Sequence, residues 1–498
     1  MMRLSAVSLA AALLFGTALP LAAETVTVNF VQTNDIDRME EHHGRGGFAR
    51  LAGVLDEVRA EGPTFFVHAG DTLSPSLLSG IDHGAHIIDI LNAMGVDAFT
   101  PGNHEFDFGP DVFRERMREA KFPVITSNVR EKDGASVPNA VDDRIVEVEG
   151  VRFAFYGLTT EDTPQVASPG DMSFAPSVET AKKKAAALRA AGADIVVAVV
   201  HTPLSVDMAL VRDKAADLIF SGHDEHLLVF FDGATALTES GSQADSVVVT
   251  RLTVDKETKD GKTTVTFRPD FEIVDSASVE PDPAIKAKVD GYLGKLDKEL
   301  KVAIGTTQTA LDSRRATVRA TEAAIGNLIA DAMRETVGAD VGLMNGGGIR
   351  ADREYAPGTT LTRADVFAEL PFGNKTVKIA VTGEKLKAAI ENGLSLVEAK
   401  AGRFPQVSGM VVTADLSKLP GSRVESITVD GAPLDPAKTY TLATNDFVAD
   451  GGDGYTVLAD AARLISPVDA QLLASQVIAY VEAKKTVAPA VEGRLVLR

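Results

Sequence analysis

Pro101-Gly102-Asn103-His104-Glu105-Phe106-Asp107-Phe108-Gly109 puts an amide, an imidazole and two carboxylates into a turn rimmed by glycines. The turn follows an apolar run over residues 87–99. Upstream, Phe65-Phe66-Val67 reads as a buried strand ending in His68-Ala69-Gly70-Asp71. A carboxylate at a strand's end, followed by a glycine-flanked Asn-His loop, suits a metal site whose ligands project from loops on a rigid sheet.

Other strand ends carry similar residues. Residues 193–200 form a long apolar run, typical of a strand covered on both faces, which ends at His201-Thr202-Pro203. The helix expected before it, over 180–191, fits an α/β layer. Asp217-Leu218-Ile219-Phe220 then leads to Ser221-Gly222-His223-Asp224-Glu225-His226. Near the front, residues 25–31 alternate as a strand does and break at a loop holding Asp35 and Asp37. Residues 46–52 then open a helix.

The pattern GD…GNHE(F)D resembles the calcineurin-like metallophosphoesterases, and the spelling GNHEFDFG resembles the 5′-nucleotidase family within them. The resemblance implies two divalent metal ions. Asp71 would bridge them, as a carboxylate can, holding the cations about 3.5–4 Å apart. Asn103, His201 and His223 would complete the second site. His104 would be the catalytic imidazole, steadied by Asp107; a carboxylate there fixes the tautomer and favours the protonated ring. The family's first strand ends in Asp-x-His, both residues binding the first metal, but Asp37 stands at the His position here. The family's GH-x-H or GH-x-Q supplies another first-metal ligand, but Glu225 stands there, with His226 one place late. The first site would thus hold Asp35, Asp71 and, if they turn inward, Asp37 and Glu225. Asp37 reads equally as a solvated loop residue. Glu40, Glu41, His42 and His43 could fill a vacancy or form an exposed face. Manganese or zinc fits the family, and an all-oxygen first site favours a Mn-like ion there.

Beyond residue 227 short alternating runs over 246–253 and 263–273 read as strands of a second sheet, with a charged turn over 256–262. Pro281-Asp282-Pro283 punctuates the chain before a Lys/Asp-rich amphipathic helix over 284–301. Arg319 then precedes a helix over 321–336, and Asn345-Gly346-Gly347-Gly348-Ile349-Arg350 follows an apolar run. The three glycines let backbone approach a ligand, and Arg350 offers a planar fork for an anion. With Leu370-Pro371-Phe372-Gly373-Asn374 and residues 444–455, these segments resemble the C-terminal substrate-binding domain of the 5′-nucleotidases. That resemblance implies that Phe372 and Phe447 sandwich a nucleobase and that Asp453 bonds the sugar. Arg319, Asn345 and Arg350 would hold the phosphate end or the ribose region. A lone Phe is more often core, but two in Gly-rich loops are not where cores are built.

At 498 residues the chain needs more than one core. A net charge of −20 argues against a nucleic-acid backbone or an anionic membrane as partner. No obligate protein partner is evident. Cysteine is absent, which removes disulfides and thiolate ligands. Arg3, an apolar run over 4–21 and Ala22-Ala23 read as a secretory signal cleaved near Ala23, so a periplasmic or secreted protein is expected.

The expected architecture is α/β throughout. A four-layer αββα metallophosphoesterase sandwich would occupy 24–283, a linker helix 284–305 and an α/β nucleotide-binding domain 306–498. The activity implied is hydrolysis of nucleoside 5′-monophosphates by in-line attack of hydroxide. Alternatives are a 2′,3′-cyclic nucleotide phosphodiesterase with 3′-nucleotidase activity, a UDP-sugar hydrolase, or a nucleotide-binding protein with a degraded metal site. The family also has a thiosulfohydrolase branch, against which the paired Phe argue.

Overall fold

Val26, Val28 and Phe30 alternate along the strand Glu24–Thr33 and meet Phe153, Phe155, Val197 and Phe220 across one interface. On the strand's other face Val31 packs with Phe48, Leu51 and Phe66 beneath helices. Both faces are covered, so the second half of the strand is buried without a break. The computed structural model describes residues 24–76, 78–259 and 262–498; the expected signal segment, 1–23, lies outside the described residues.

This strand lies third in a seven-stranded sheet that continues through Thr64–His68, Ala98–Phe99 and Val124–Ile125. A six-stranded sheet faces it, with Val151–Thr159, Ile195–His201 and Leu218–Ser221 as parallel neighbours. Helices Gly47–Glu61, Ala85–Met94 and Pro110–Glu119 cover the first sheet, while Ser177–Ala190 and Leu204–Arg212 cover the second. These are the four layers that the sequence implies.

The late strands differ from expectation. They form one long hairpin, Ser246–Lys259 with Lys262–Asp275, that pairs antiparallel with Glu24–Thr33 and so extends the first sheet. Of the charged residues expected in a turn, 256–259 continue the strand instead, because beyond the sandwich both faces of the ribbon meet water and only backbone pairing is required.

Asp282 caps the helix Pro283–Glu299 by accepting from the Ile285 N–H at 2.7 Å, with Pro283 in the first turn. Ile285 and Val289 bury into the N-terminal core, and Tyr292 and Lys288 each donate to Asp89 at 2.6 Å. The connecting helix is therefore fastened along the first domain. Beyond it a five-stranded sheet runs in the order Pro405–Ser408, Val341–Asn345, Thr439–Asn445, Thr376–Thr382, Ala462–Ile465. Alternation again sorts the faces: Leu343 joins the core under Gly383–Leu394, and Met344 the core under Ala324–Val337. Among the described residues no helix is long and apolar enough to cross a membrane.

Candidate metal centre and substrate pocket

Parallel pairing aligns Thr33 with His68 and His68 with Phe99, so the loops that follow leave one edge of the sandwich together. Asp35 and Asp71 (φ 54° each) and His223 (φ 91°) adopt left-handed backbone, a conformation non-glycine residues rarely hold and that tends to mark functional sites. Gly102 is obligatory: a Cβ there would collide with the Asp71 carboxylate and stand 2.7 Å from the His201 ring. Glu105, buried among these loops, accepts from the backbone N–H groups of Asp71 (3.0 Å), Thr72 (2.8 Å), Leu73 (3.1 Å) and Gly102 (2.5 Å). One carboxylate thus ties the Asp71 loop to the Asn103 loop.

Asp71, His201 and His223 offer ligand atoms within 4.8 Å of one another. His201 Nδ1 donates to the Ala69 carbonyl at 2.7 Å, which turns Nε2 toward Asp71 Oδ2, 3.0 Å away. Nε2 and Oδ2 have no partner but each other, and Asn103 Nδ2 is orphaned although buried. Buried polar atoms without partners need a reason, and a shared divalent cation supplies one. Asn103 Oδ1 lies 3.1 Å from His223 Nδ1.

The protein alone shares out the charge. Burial opposes ionisation of Asp71, but His201, His104 and His223 outweigh it and hold the carboxyl well below its usual range. Burial works against the His201 cation too, yet Asp71 and Asp35 lift it to about 10. Asp35 is pushed up to about 7 by burial, with Asp71 adding to the rise. Its Oδ2 accepts from Asn34 Nδ2 at 2.7 Å and from the His223 N–H at 3.1 Å.

His104 donates its backbone N–H to Asp71 Oδ1 at 2.8 Å, and its Nδ1 lies 2.7 Å from Asp107 Oδ2. Burial would lower its basicity, but Asp107 and Asp71 hold it well above the ordinary imidazole value. The shift favours the protonated ring, whose Nε2 lies 2.5 Å from the Val468 carbonyl.

The residues expected at the first metal are placed differently. Asp37 is half-buried, and the Gln243 side-chain amide donates to its Oδ1 while Gln243 Oε1 accepts from the Arg38 N–H at 3.0 Å. Glu225 is exposed, as are His226, His42 and His43. Among the described residues the ligand-atom cluster gathers neither Asp37 nor Glu225 with Asp71. Gln243 engages the one, and the backbone turn at Glu225 (φ 56°) leaves the other in solvent.

A second site lies in the C-terminal domain. Arg319, Asn345, Arg350, Phe372, Phe447 and Asp453 all line one cavity of about 380 Å³, with Asn374 and the backbone of Gly347, Gly348 and Gly402. Phe372 and Phe447 are 58% and 48% exposed, far from core values. Gly452 makes room for one ring: a Cβ there would stand 2.5 Å from Phe447. Asn345 Nδ2 donates to Asp453 Oδ2 at 2.8 Å and its Oδ1 accepts from Asn445 at 2.9 Å. Arg350 stands 5.3 Å over the Phe372 ring, and Arg319 keeps a buried Nε without a partner. Burial and the neighbouring Arg315 and Arg350 depress Arg319's basicity, so an anion would relieve the crowding of positive charge.

A calcineurin-like phosphoesterase family model matches residues 28–226, and a 5′-nucleotidase C-terminal domain model matches 303–460. The crystal structure of a 5′-nucleotidase precursor from Thermus thermophilus is 30% identical, covering 95% of this chain and 99% of that one at a TM-score of 0.54. The chain belongs to the 5′-nucleotidase family. A trifunctional nucleotide phosphoesterase of Bacillus subtilis is 30% identical over 90% of this chain, which spans 34% of that protein's length. The NAD nucleotidase of Haemophilus influenzae is 21% identical and shares the fold at a TM-score of 0.81, with 95% and 99% of the two chains covered. As a family member the protein is a metal-dependent nucleotide phosphoesterase.

Within this 5′-nucleotidase architecture, sequence reasoning missed several residues. Glu105 was visible as an acid inside the Asn-His loop but carried no ligand spacing. Asn374 and Gly402 line the substrate cavity, and only their loop neighbours hinted at it. Gln243 has no local signal, because its contact with Asp37 spans 206 positions. Val468 was equally silent: its carbonyl accepts from His104 Nε2 at 2.5 Å across the two domains.

Proposed function

We propose that the protein is an exported 5′-nucleotidase that releases phosphate from nucleoside 5′-monophosphates, with domains at 24–283 and 306–498 joined by 284–305. The observation that carries this reading is the single cavity holding Phe372, Phe447, Asp453 and two arginines, in a chain that also builds the Asp71–His201–His223 cluster. Two exposed rings flanking a gap suit a flat base, and each stacked base contributes about 1–3 kcal/mol with little preference among bases. Asp453, which accepts from Asn345, would also accept from sugar hydroxyls, and Arg319 and Arg350 would hold the anionic end or the ribose region.

Asp35, Asp71, Asn103, His201 and His223 would hold two divalent cations, with a Mn-like ion favoured at the first site, where Asp35 and Asp71 supply only oxygen. Such cations supply Lewis-acid polarisation of the phosphoryl oxygens and an activated water. His201 is oriented for ligation by the Ala69 carbonyl. His104, charged and braced by Asp107, donates from Nε2 to the phosphoryl oxygen or the leaving group as negative charge develops. The cavity is lined by C-terminal-domain residues and the ligand cluster by N-terminal ones, and the Val468 carbonyl sits on His104, so delivery of substrate would require the C-terminal domain to turn.

The test is phosphate release from AMP, 2′,3′-cyclic AMP and UDP-glucose with Mn²⁺ and then Zn²⁺. Preference for AMP by kcat/KM is expected. Faster turnover of the cyclic nucleotide or of UDP-glucose would reassign the substrate, and adenosine binding without release under either metal would overturn hydrolysis.

A further inference from the structure

His104 has one ring nitrogen free for substrate, and that nitrogen is already taken. Nδ1 is committed to Asp107 at 2.7 Å, and Nε2 lies 2.5 Å from the Val468 carbonyl of the C-terminal domain. Val468 sits in the connection between the strand Ala462–Ile465 and the helix Leu473–Lys484. This connection is built rather than loose. Ser466 Oγ donates to Asp469 Oδ2 at 2.7 Å, and the Gln471 carbonyl accepts from the Thr376 N–H at 3.0 Å. Lys375 bridges to Leu472. Asp469 is only 9% exposed, and its Oδ1 has no partner. The second domain therefore sets a backbone carbonyl, held in a braced loop, directly on the His104 ring.

We propose that residues 466–472 are an internal plug of the hydrolytic centre. While the substrate cavity is turned away, the Val468 carbonyl accepts the His104 Nε2–H hydrogen bond that a phosphoryl oxygen accepts in turnover, and Asp469 braces the loop that holds it there. This rests on the hydrolytic reading above and adds a restraint to it. Domain rotation alone would leave a misoriented but open centre, accessible to any small phosphate ester. A plugged centre is closed to inorganic phosphate and stray esters until the rotation that brings the loaded cavity also withdraws the loop.

The absence of cysteine makes a clean test available. A Cβ at Gly80, in the N-terminal domain, would stand 3.6 Å from Cβ of Ser475, within the span of about 3.5–4.5 Å that disulfides require. Oxidised G80C/S475C would hold the arrangement described here. The probes are p-nitrophenyl phosphate, which needs no base pocket, and calorimetric binding of inorganic phosphate to the Mn²⁺-loaded protein. Oxidation should lower both turnover and phosphate affinity by about twentyfold or more, in step with the loss of the open population. Reduction should restore both, while adenosine affinity stays level throughout. Equal turnover and equal phosphate binding in both forms would overturn the plug. If the reduced form alone binds phosphate but neither form cleaves the ester, the plug stands and hydrolysis falls. If neither form binds phosphate, the plug falls. In the natural chain, Asp469→Ala should tighten phosphate binding by about threefold or more, since a weaker plug releases more open centre; unchanged or weaker binding would count against it.

Discussion

The metal centre and the substrate cavity are built on opposite principles. The centre lies at the ends of buried strands, where Asp71, Asn103, His104 and His201 are nearly inaccessible and a single carboxylate, Glu105, stitches two loops together. The cavity lies among glycine-rich loops, with its two phenylalanines half in water. Chemistry that stabilises developing charge needs dipoles and charges fixed before the reaction begins, whereas a stacking site must admit and release a flat ligand. The difference teaches that catalytic rate should depend on rigid geometry in one domain and substrate affinity on exposed aromatic area in the other.

The sharpest break of that division is His104→Ala. Loss of the charged imidazole should lower kcat for AMP by about a thousandfold with metal content unchanged, since positioned acid–base groups contribute about 10²- to 10⁴-fold; phosphate release together with metal analysis measures both. Phe447→Ala should act on the other side, raising KM about tenfold or more while kcat changes little, in line with about 1–3 kcal/mol for one stacked base. A comparable fall in kcat would mean that the ring also steers domain rotation.

The first-metal residues sharpen the comparison inside the centre itself. Asp37→His with Glu225→Gln should strengthen Zn²⁺ binding relative to Mn²⁺ by about tenfold, because imidazole suits zinc better than carboxylate does. Chelator competition reads this directly, and an unchanged ratio would exclude these positions from the site.

The smallest effect is on stability of the metal-free protein. Asp35 titrates higher folded than unfolded, so its contribution is present at low pH and is lost as pH rises through about 7. His201, also raised, loses its contribution as pH climbs through about 10. Both act in one direction. The metal-free protein should melt about 5 °C lower at pH 9 than at pH 5, a shift on the scale of one to two kcal/mol. Saturating Mn²⁺ should abolish or reverse that slope, because the ligands are then held deprotonated by the cation. A melting curve series at fixed ionic strength tests both halves.

Much of this was legible before any coordinates. Asp71, Asn103, His201 and His223 each stand at the end of an apolar strand or in the loop that follows it, and the period of those strands announces a sheet with loops at one edge. All six residues that the family resemblance implies around the substrate line one cavity. The hairpin Ser246–Lys259 with Lys262–Asp275 was misassigned to a second sheet, since alternation identifies a strand but not its partner. Asp37 was readable as a departure from the family pattern, but its engagement by Gln243 was not.

What the chain's order of residues determined alone was chemical: which groups can bind a cation, which can stack, and which strands carry them, since local periodicity and side-chain chemistry are properties of neighbours in sequence. Only the tertiary structure decided which way each site faces. Glu105 binding four backbone amides, Gln243 on Asp37 and the Val468 carbonyl on His104 are contacts between distant segments. They arise from how two packed domains meet, and no local pattern encodes that meeting.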